Sequence, residues 1–454
     1  MRLIAGCSDN GSLKEVICDA GTDTSKKTAL QPLSVKSSLL QGLKCSIDRI
    51  CVISSRRMIL GRNNGVLELV SIERTKHIDG EQENAEHGSK EGTTGAFEIS
   101  KFEVIDSIAG MLDNSRLAPF YEKSKKRVRL SDGFVSICPL PGSNNEYFVA
   151  TRSGLISIIQ LGDNLKKLTK IGTLEVKAPL DFAQLCDTEP NEAGDYVFGY
   201  GGEENLVKLV RMKRDGSSLS QFWEAKNVKN DRLDLRVPVW PIGLKFLSAY
   251  SPSDADPSKP DYQFVVVTHW SHLAHYRTQH GRKPLAYKDL LPNREPLTAL
   301  ELIGEDITEL GNLKVADFAN FSFVTADLKH NVYKFDIDGK PIMKFGKSDI
   351  TGASSFLGIY KQKYLLQGGL DRYIRIFDLA TGSRLVKVYT GSKINSLVML
   401  DSEEIGQIDD SGPKLAKRKS VVQDEETLIA QDDELWERLE NNGGSVKKVK
   451  KARR

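Results

Sequence analysis

The chain has 454 residues, 39% of them hydrophobic, and a formal net charge of +3 at pH 7. A charge so close to balance excludes a global electrostatic argument for nucleic-acid binding, so such an argument depends on local runs of cations. The N-terminal residues lack the apolar core of a signal peptide, and no apolar run approaches the roughly 18 residues of a spanning helix. The six cysteines contain no C-x-x-C pair, which favours free thiols in a reducing compartment. We therefore expect a soluble intracellular protein without a membrane contact.

A short pattern recurs along the chain and is the main evidence for the fold. Each copy has small residues, then a polar turn, then alternating apolar and polar residues, which are typical of a half-buried β-strand. In the last copy, Phe377 and Asp378 occupy the position at which WD-type repeats have Trp-Asp. The seven copies span residues 5–18, 61–72, 150–161, 199–212, 267–278, 324–336 and 367–378.

These copies predict an all-β fold, a seven-bladed WD-repeat β-propeller with one copy in each blade. A regular WD repeat is about 40–45 residues long. The sequence distance between equivalent positions of consecutive copies has that length only for the last pair, 42 residues from Val332 to Ile374. The longer distances require insertions, which we predict as loops at the polar segments 74–96 and 251–261. A β-sandwich followed by a second domain is the structural alternative.

The two ends of the chain predict how the ring closes. Residues 2–6 and 13–18 begin in the middle of a blade, so the first blade lacks its inner strand. Residues 394–400 form one strand more than the last blade needs. We predict that they supply the missing strand and remove both open sheet edges. The propeller then occupies residues 1–401, and residues 402–454 form a charged, flexible or partly helical tail with a basic C-terminus and a short helix at 434–440.

Four of the seven histidines lie close together, at His269, His272, His275 and His280. On a strand His272 faces away from His269 and His275, so the pattern favours packing or an RNA-facing role over a tetrahedral zinc site. The sequence has no G-x-S-x-G elbow, no G-x-x-x-x-G-K phosphate loop and no H-E-x-x-H motif. We therefore expect no catalytic residue, no metal and no cofactor. An enzyme or metalloprotein built around the histidines is the alternative of a different class.

Local runs of basic residues are the stronger functional signal. Several cations in one region release counterions together when they bind a phosphate backbone, so we predict contacts with RNA or with a protein partner. A solvated surface is the alternative for any single run. The candidate contact residues are Lys123, Lys125, Lys126, Arg127 and Arg129, in a loop before a strand predicted at 134–138; Lys226, Lys229, Arg232 and Arg236; and Arg277, His280, Arg282 and Lys283.

The end of the chain contains two further basic clusters, which predict a targeting or tethering tail. Three tryptophans, Trp223, Trp240 and Trp270, could stack on bases, but packing inside the blades is the favoured interpretation. The basic tail residues are Lys414, Lys417, Arg418 and Lys419, followed by Lys447, Lys448, Lys450, Lys451, Arg453 and Arg454.

Several long strings resemble the fungal Nop-seven-associated (Nsa-type) WD-repeat proteins. They include GYGGEENLVKLV, WEAKNVKNDRLDLRVPVWP, TQHGRKPLAYKDLLPNREPL and LLQGGLDRYIRIFDLATG. The resemblance extends over nearly the whole chain and weakens around 74–96 and in the tail. It implies a non-catalytic, nuclear and nucleolar assembly factor of the large ribosomal subunit. Such a scaffold binds pre-ribosomal RNA and other assembly factors on pre-ribosomal particles, and an AAA-type ATPase later releases it. A WD-repeat adaptor of another nuclear complex, in chromatin or a ubiquitin ligase, is the alternative.

Overall fold

The computed structural model describes residues 1–77, 97–124, 131–143, 145–162, 165–186, 195–230, 233–250, 261–304 and 321–402. In these residues 28 strands form seven antiparallel sheets of four strands each. In six of the seven pairs of neighbouring sheets the inner strands contact each other, and the seven sheets form a β-propeller. The prediction of an all-β, seven-bladed propeller is therefore confirmed.

Each sheet is one blade, and we call its strands a to d from the centre outward. Blade 1 contains β28 (Ile394–Asp401), β1 (Arg2–Cys7), β2 (Leu13–Ile17) and β3 (Ser34–Ser38); blade 2 contains β4 (Ile47–Ser54), β5 (Arg57–Arg62), β6 (Leu67–His77) and β7 (Phe97–Ile108); blade 3 contains β8 (Phe134–Pro139), β9 (Glu146–Thr151), β10 (Leu155–Leu161) and β11 (Leu168–Glu175). Blade 4 contains β12 (Phe182–Leu185), β13 (Tyr196–Gly202), β14 (Asn205–Met212) and β15 (Leu219–Glu224); blade 5 contains β16 (Pro241–Tyr250), β17 (Asp261–Thr268), β18 (His272–Arg277) and β19 (Ala286–Asp289); blade 6 contains β20 (Glu301–Ile303), β21 (Ser322–Ala326), β22 (Val332–Asp336) and β23 (Pro341–Phe345); blade 7 contains β24 (Ser354–Tyr360), β25 (Tyr364–Gly369), β26 (Tyr373–Asp378) and β27 (Arg384–Tyr389).

Helices are short in the described ranges. The one α-helix there is α1 (Ala118–Ser124), and 3-10 turns lie at Leu43–Cys45, Asn114–Leu117 and Thr278–His280. Among the helices of those ranges, none has the length and hydropathy required to cross a bilayer.

All seven sequence copies correspond to the b strand, the b–c turn and the c strand of a blade, as the pattern predicts. The b strand is the most buried strand because it lies between two partners and between two neighbouring blades. In β1 and β25 every residue is buried. A glycine near the end of these strands permits the close approach of the next blade. A Cβ atom at Gly368 would lie 2.6 Å from Ile394 Cγ2, and one at Gly6 would lie 2.6 Å from Ile47 Cγ2.

The ring closes by pairing its last strand with its first, which confirms the prediction. β28 pairs antiparallel with β1, with Ala5 opposite Leu397 and Leu3 opposite Met399. Ile394, Leu397 and Met399 are at most 4% exposed, in a core shared by blades 7 and 1. The closing strand therefore completes blade 1 and also the apolar layer between two blades.

One predicted loop begins later than expected. The segment 74–96 was expected to be a loop from its first residue, but β6 continues to His77 and pairs with β7, with Arg74 opposite Ser100 and Thr75 opposite Ile99. Main-chain hydrogen bonds extend this ribbon, and they do not require apolar side chains. Residues 78–96 lie outside the described residues. At the second predicted loop, Asp261 is the first residue of β17, and residues 251–260 also lie outside the described residues.

The predicted division of the chain at residue 401 stays a prediction. β28 ends at Asp401. The tail from residue 403 onward, with its predicted helix at 434–440, lies outside the described residues.

The four strands of each blade run up and down in turn, so the loops that join them lie on two opposite faces of the ring. The upper face contains the b–c turns and the linkers that join strand d of one blade to strand a of the next. The lower face contains the a–b and c–d loops. These definitions follow from the antiparallel order of the strands within each blade.

We predict that truncating the chain after Ser402 leaves the thermal unfolding temperature unchanged, whereas truncating after Lys393 opens the ring. The second cut removes the buried side chains of Ile394, Leu397 and Met399, each worth about 1.5–3 kcal/mol. It also exposes two sheet edges. Calorimetry and size-exclusion chromatography of the purified proteins measure both effects. A stable, monodisperse monomer after the Lys393 cut would contradict closure.

Candidate functional site: a basic junction between blades 4 and 5

Two of the predicted basic runs meet at the outer rim of the ring, although about 50 residues separate them in sequence. Lys226 follows β15, the outer strand of blade 4, and Arg282 lies in the c–d loop of blade 5. The Lys226 amide donates a hydrogen bond to the Arg282 carbonyl at 2.7 Å. We call the surface formed by Lys226, Lys229, His280, Arg282 and Lys283 the basic junction.

Two arginines of these runs have their charge compensated within the fold. Arg277 forms an ion pair with Asp261, a fully buried carboxylate at the start of β17. The Arg282 guanidinium donates to the Glu224 carbonyl at 2.7 Å and to its carboxylate at 3.1 Å. These arginines therefore fasten the c–d loop of blade 5 to its neighbours.

The remaining members of the junction are three exposed lysines and an exposed histidine. The side chains of Lys226, Lys229, His280 and Lys283 are exposed, and within the described ranges none forms an ion pair. Arg236, farther along the same segment, lies 3.2 Å from Glu204, but both side chains are about half exposed (63% and 49%). Such an exposed pair contributes only about 0–1 kcal/mol. The junction thus offers positive charge that the described part of the protein does not neutralise.

The buried side chain of Trp223 packs beneath the surface of the junction and stabilises it. Its ring is 8% exposed and contacts Phe264 and Tyr276 edge-on, with centroids 5.4 and 5.5 Å away. Its indole N–H donates to the Gly281 carbonyl at 3.1 Å, which fixes the loop that contains Arg282 and Lys283. The preference for packing over base stacking is therefore confirmed for Trp223.

The other two tryptophans lie near the b–c turn of blade 5. Trp240 stacks on His269 with centroids 3.9 Å apart, and its indole N–H donates to Asp181 at 2.7 Å. Trp270 contacts the edge of the His269 ring at 5.4 Å. Both rings are half-buried and have contacts within the blades.

The segment between β15 and β16 covers a small cavity. The Asn227 side chain donates to the Val237 carbonyl at 2.9 Å and closes the segment into a loop. The cavity beneath it has a volume of about 30 Å³ and is lined mainly by apolar side chains, Val239 and Tyr276 among them. A water needs about 10–15 Å³ on this measure, whereas drug-sized ligands fill pockets of about 300–1,000 Å³. The cavity can hold water but not an organic substrate.

Strand alternation separates His272 from His275 within β18, but His269 lies in the b–c turn before that strand, so the predicted alternation does not apply to it. His272 and His275 are buried in β18, whereas His280 is exposed in the following 3-10 turn. His272 Nε2 lies 3.1 Å from Asp289, and its ring stacks on Tyr287. Within the described ranges, no group of three or more His, Cys, Asp or Glu side chains could hold a metal ion.

The first basic run is described only at Lys123. This residue lies in helix α1, so the expectation of a loop is wrong at this position. The predicted strand that follows is present as β8 (Phe134–Pro139). Lys125, Lys126, Arg127, Arg129 and Arg232, together with the ten tail residues from Lys414 to Arg454, lie outside the described residues.

Seven four-stranded blades, each built around a b–c repeat, define the chain as a WD-repeat β-propeller protein. No protein-family model matches the chain. Among solved structures it is similar to Saccharomyces cerevisiae Sqt1, with 10% identity and a TM-score of 0.46 over 77% of this chain and 87% of that one.

Relatives of known name match the whole chain. Ribosome biogenesis protein NSA1 of Vanderwaltozyma polyspora is 49% identical over 459 residues, and its counterpart in Saccharomyces cerevisiae strain S288c is 48% identical over 467 residues; both alignments cover 100% of each chain. NSA1 of Yarrowia lipolytica is 26% identical and covers 97% of this chain and 94% of the relative. The chain belongs to the NSA1 family of ribosome biogenesis proteins, which confirms the resemblance to the Nsa type.

We predict that the buried His275 makes stability depend on pH below neutrality. Burial lowers the pKa of His275 from 6.5 to about 4. Between these two values the unfolded chain binds more protons than the folded one. The contribution of neutral His275 to the free energy of unfolding is therefore complete above about pH 6.5. It is lost as the pH falls towards 4, by up to about 3 kcal/mol. Replacing His275 with Gln should flatten this part of the profile.

Urea unfolding at pH 7.5 and pH 4.5 measures the effect. Burial also lowers the pKa of His272, so some pH dependence should persist in the variant. His280→Gln is the control, because this histidine is exposed and should leave the profile unchanged. An unaltered profile for His275→Gln would show that the prediction is wrong.

Proposed function

We propose that this protein is a non-catalytic scaffold that acts in the nucleolus on precursors of the large ribosomal subunit. It binds pre-ribosomal RNA and other assembly factors. The observation that supports RNA contact most directly is the basic junction, whose exposed lysines, Lys226, Lys229 and Lys283, have no ion-pair partner in the described residues. Full-length similarity to NSA1 proteins supports the assembly role over that of an adaptor in chromatin or a ubiquitin ligase.

The chemistry of the junction suits the phosphate backbone and not a base sequence. Lysine ammonium groups contact phosphates as point charges, and such contacts position a protein without reading sequence. The Trp223 ring, whose indole N–H bonds the Gly281 carbonyl of the junction, is buried and is not available for base stacking. We therefore propose RNA binding that depends on salt and on the shape of the RNA.

A scaffold role also agrees with the small cavity between blades 4 and 5. Its volume of about 30 Å³ leaves no room for a substrate. The buried His275 is neutral at neutral pH because burial lowers its pKa to about 4, and it faces the blade interior. Neither the cavity nor His275 therefore supports a reaction centre at this place in the ring.

We further propose that the basic tail acts in targeting or tethering, and that an AAA-type ATPase releases the protein from the particle. The tail contains six basic residues in its last eight positions. Such a cluster of cations suits contact with RNA or with a receptor for nuclear import.

We predict that the triple variant Lys226→Glu, Lys229→Glu, Lys283→Glu binds RNA at least about tenfold more weakly at low salt. A plot of the logarithm of the RNA-binding constant against the logarithm of the salt concentration has a negative slope. Each lost phosphate contact should reduce the magnitude of this slope by about one or slightly less. Fluorescence anisotropy with a labelled single-stranded RNA of mixed sequence measures both quantities.

The matched control replaces three exposed lysines outside the junction, Lys26, Lys27 and Lys340, with Glu. It changes the net charge equally but leaves the junction intact. If both variants lose RNA affinity equally, the loss comes from overall charge, and a binding site at the junction is contradicted. In cells, the parent protein should sediment with pre-large-subunit particles; its absence from those fractions would overturn the proposed function.

A further inference from the structure

Exposed aliphatic side chains are concentrated on the upper face of the ring. Among the described residues, seven large aliphatic side chains are at least 50% exposed. Six of them lie in upper-face turns or linkers, and the seventh, Ile342, lies on the outer strand β23. A single exposed leucine needs no explanation, but a set gathered on one face is typical of an interaction surface. The six are Leu40 (62%), Leu43 (74%), Leu233 (78%), Leu235 (59%), Leu328 (50%) and Leu370 (50%).

Four of these leucines belong to one continuous stretch of upper-face loops over blades 6, 7 and 1. In the linker after blade 1, the Gly42 amide donates to the Asn10 carbonyl at 2.9 Å. The Asn10 side chain donates to Ser392 at 3.1 Å in the linker after blade 7. In that linker the Thr390 amide donates to the Arg372 carbonyl at 2.9 Å, next to Leu370. Hydrogen bonds therefore join the loop of Leu40 and Leu43 to the turn of Leu370.

The same chain of contacts continues to blade 6. The Leu370 amide donates to the Ala353 carbonyl at 3.0 Å, in the linker between blades 6 and 7. The hydroxyl of Thr298 donates to the carbonyl of Ser354 at 3.2 Å. Thr298 lies in the linker after blade 5, and a carbonyl of that linker accepts the Leu328 amide at 2.8 Å. We call the surface of Leu40, Leu43, Leu328 and Leu370 the leucine arc.

A buried arginine holds the first loop of the arc in place. Arg62 is 0% exposed and pairs with Glu68 at 2.7 Å. Its guanidinium donates to the carbonyls of Cys45 at 2.8 Å and Leu39 at 3.2 Å, on either side of Leu40 and Leu43. The leucines are thus held outward by the fold, so a partner need not order the loop on binding.

A second buried arginine holds the turn of Leu370. Arg375 is 0% exposed and donates to the Asp371 carboxylate at 2.7 Å. Asp371 in turn accepts the Tyr373 amide at 3.3 Å. The turn therefore keeps Leu370 at the surface in a fixed position.

The charges of the arc favour a protein over RNA. Its loops (8–12, 39–46, 294–298, 327–331, 370–372 and 390–393) contain five Lys or Arg and four Asp or Glu residues. Lys329 is already paired with Glu295 at 2.7 Å. RNA- and DNA-contact surfaces are strongly positive, whereas the buried centre of a protein interface is apolar and poor in charge.

We infer that the leucine arc is the docking surface for another assembly protein, which contributes an apolar groove of low net charge. This inference rests on the proposed function, because the partner is a component of the same particle, and it assigns a protein contact separate from the basic junction. Aliphatic contacts depend little on ionic strength, whereas the phosphate contacts of the basic junction weaken steeply with salt. The two surfaces therefore differ in how strongly binding to them depends on the salt concentration.

The first experiment identifies the occupant. The photo-crosslinking residue p-benzoylphenylalanine is placed at position 43, 370 or 342 in the full-length tagged protein, and cells are irradiated. We expect positions 43 and 370 to crosslink to the same particle protein, identified by mass spectrometry, in adducts that resist ribonuclease. Position 342 should not give this adduct. Adducts that ribonuclease removes, or adducts with the mass of two copies of this chain, would overturn the inference.

The second experiment measures the contribution of the arc. The double variant Leu43→Ser, Leu370→Ser should retain the parent unfolding temperature, because both side chains are exposed. It should recover at least about tenfold less of the crosslinked partner at 0.5 M KCl, since two aliphatic contacts are lost. The Ile342→Ser control should behave like the parent.

The two proposals fail in different ways. If the parent protein itself does not co-purify with pre-ribosomal RNA at low salt, the proposed function is wrong. If the parent does co-purify and the double variant recovers the partner equally well at high salt, the leucine arc is not its docking surface.

Discussion

The pairing of β28 with β1 is the interaction on which the other features of this protein depend. Closing so long a chain into a ring costs entropy, but that cost grows only slowly with length. Burial of Ile394, Leu397 and Met399 offsets it. The closing strand also positions Ser392, which accepts the hydrogen bond from Asn10. The leucine arc crosses this seam, so it exists only in the closed ring.

Two buried arginines show how the ring fixes its loops. Removing a guanidinium from water costs several kcal/mol unless it is paired and fully hydrogen-bonded. Arg62 and Arg375 are among the largest fully buried side chains, and each has a carboxylate partner and additional acceptors. Most of the additional acceptors of Arg62 are loop carbonyls. The arginines thus determine the shape of surface loops from inside the blade.

The two proposed surfaces lie in different sectors of the ring. The basic junction lies at the rim of blades 4 and 5, where Trp223 fixes a loop of exposed cations. The leucine arc lies on the upper face of blades 6, 7 and 1. A rigid ring that binds RNA in one sector and a protein in another holds the two in a defined relation, which is the physical basis of the proposed scaffold role.

Sequence periodicity alone determined the propeller, its seven blades and the strand that closes it. Alternation and small residues are local properties, and each b–c unit of the sequence became the same unit of a blade. The basic runs were also visible in the sequence, but their meeting was not, because contacts between blades 4 and 5, the hydrogen bond from Lys226 to Arg282 among them, bring two distant segments together. The tertiary structure likewise decided that Arg277 is paired with the buried Asp261 while Lys226 stays exposed. The leucine arc had no sequence signal, since a leucine in a loop has the same local pattern whether the fold buries it or holds it in solvent.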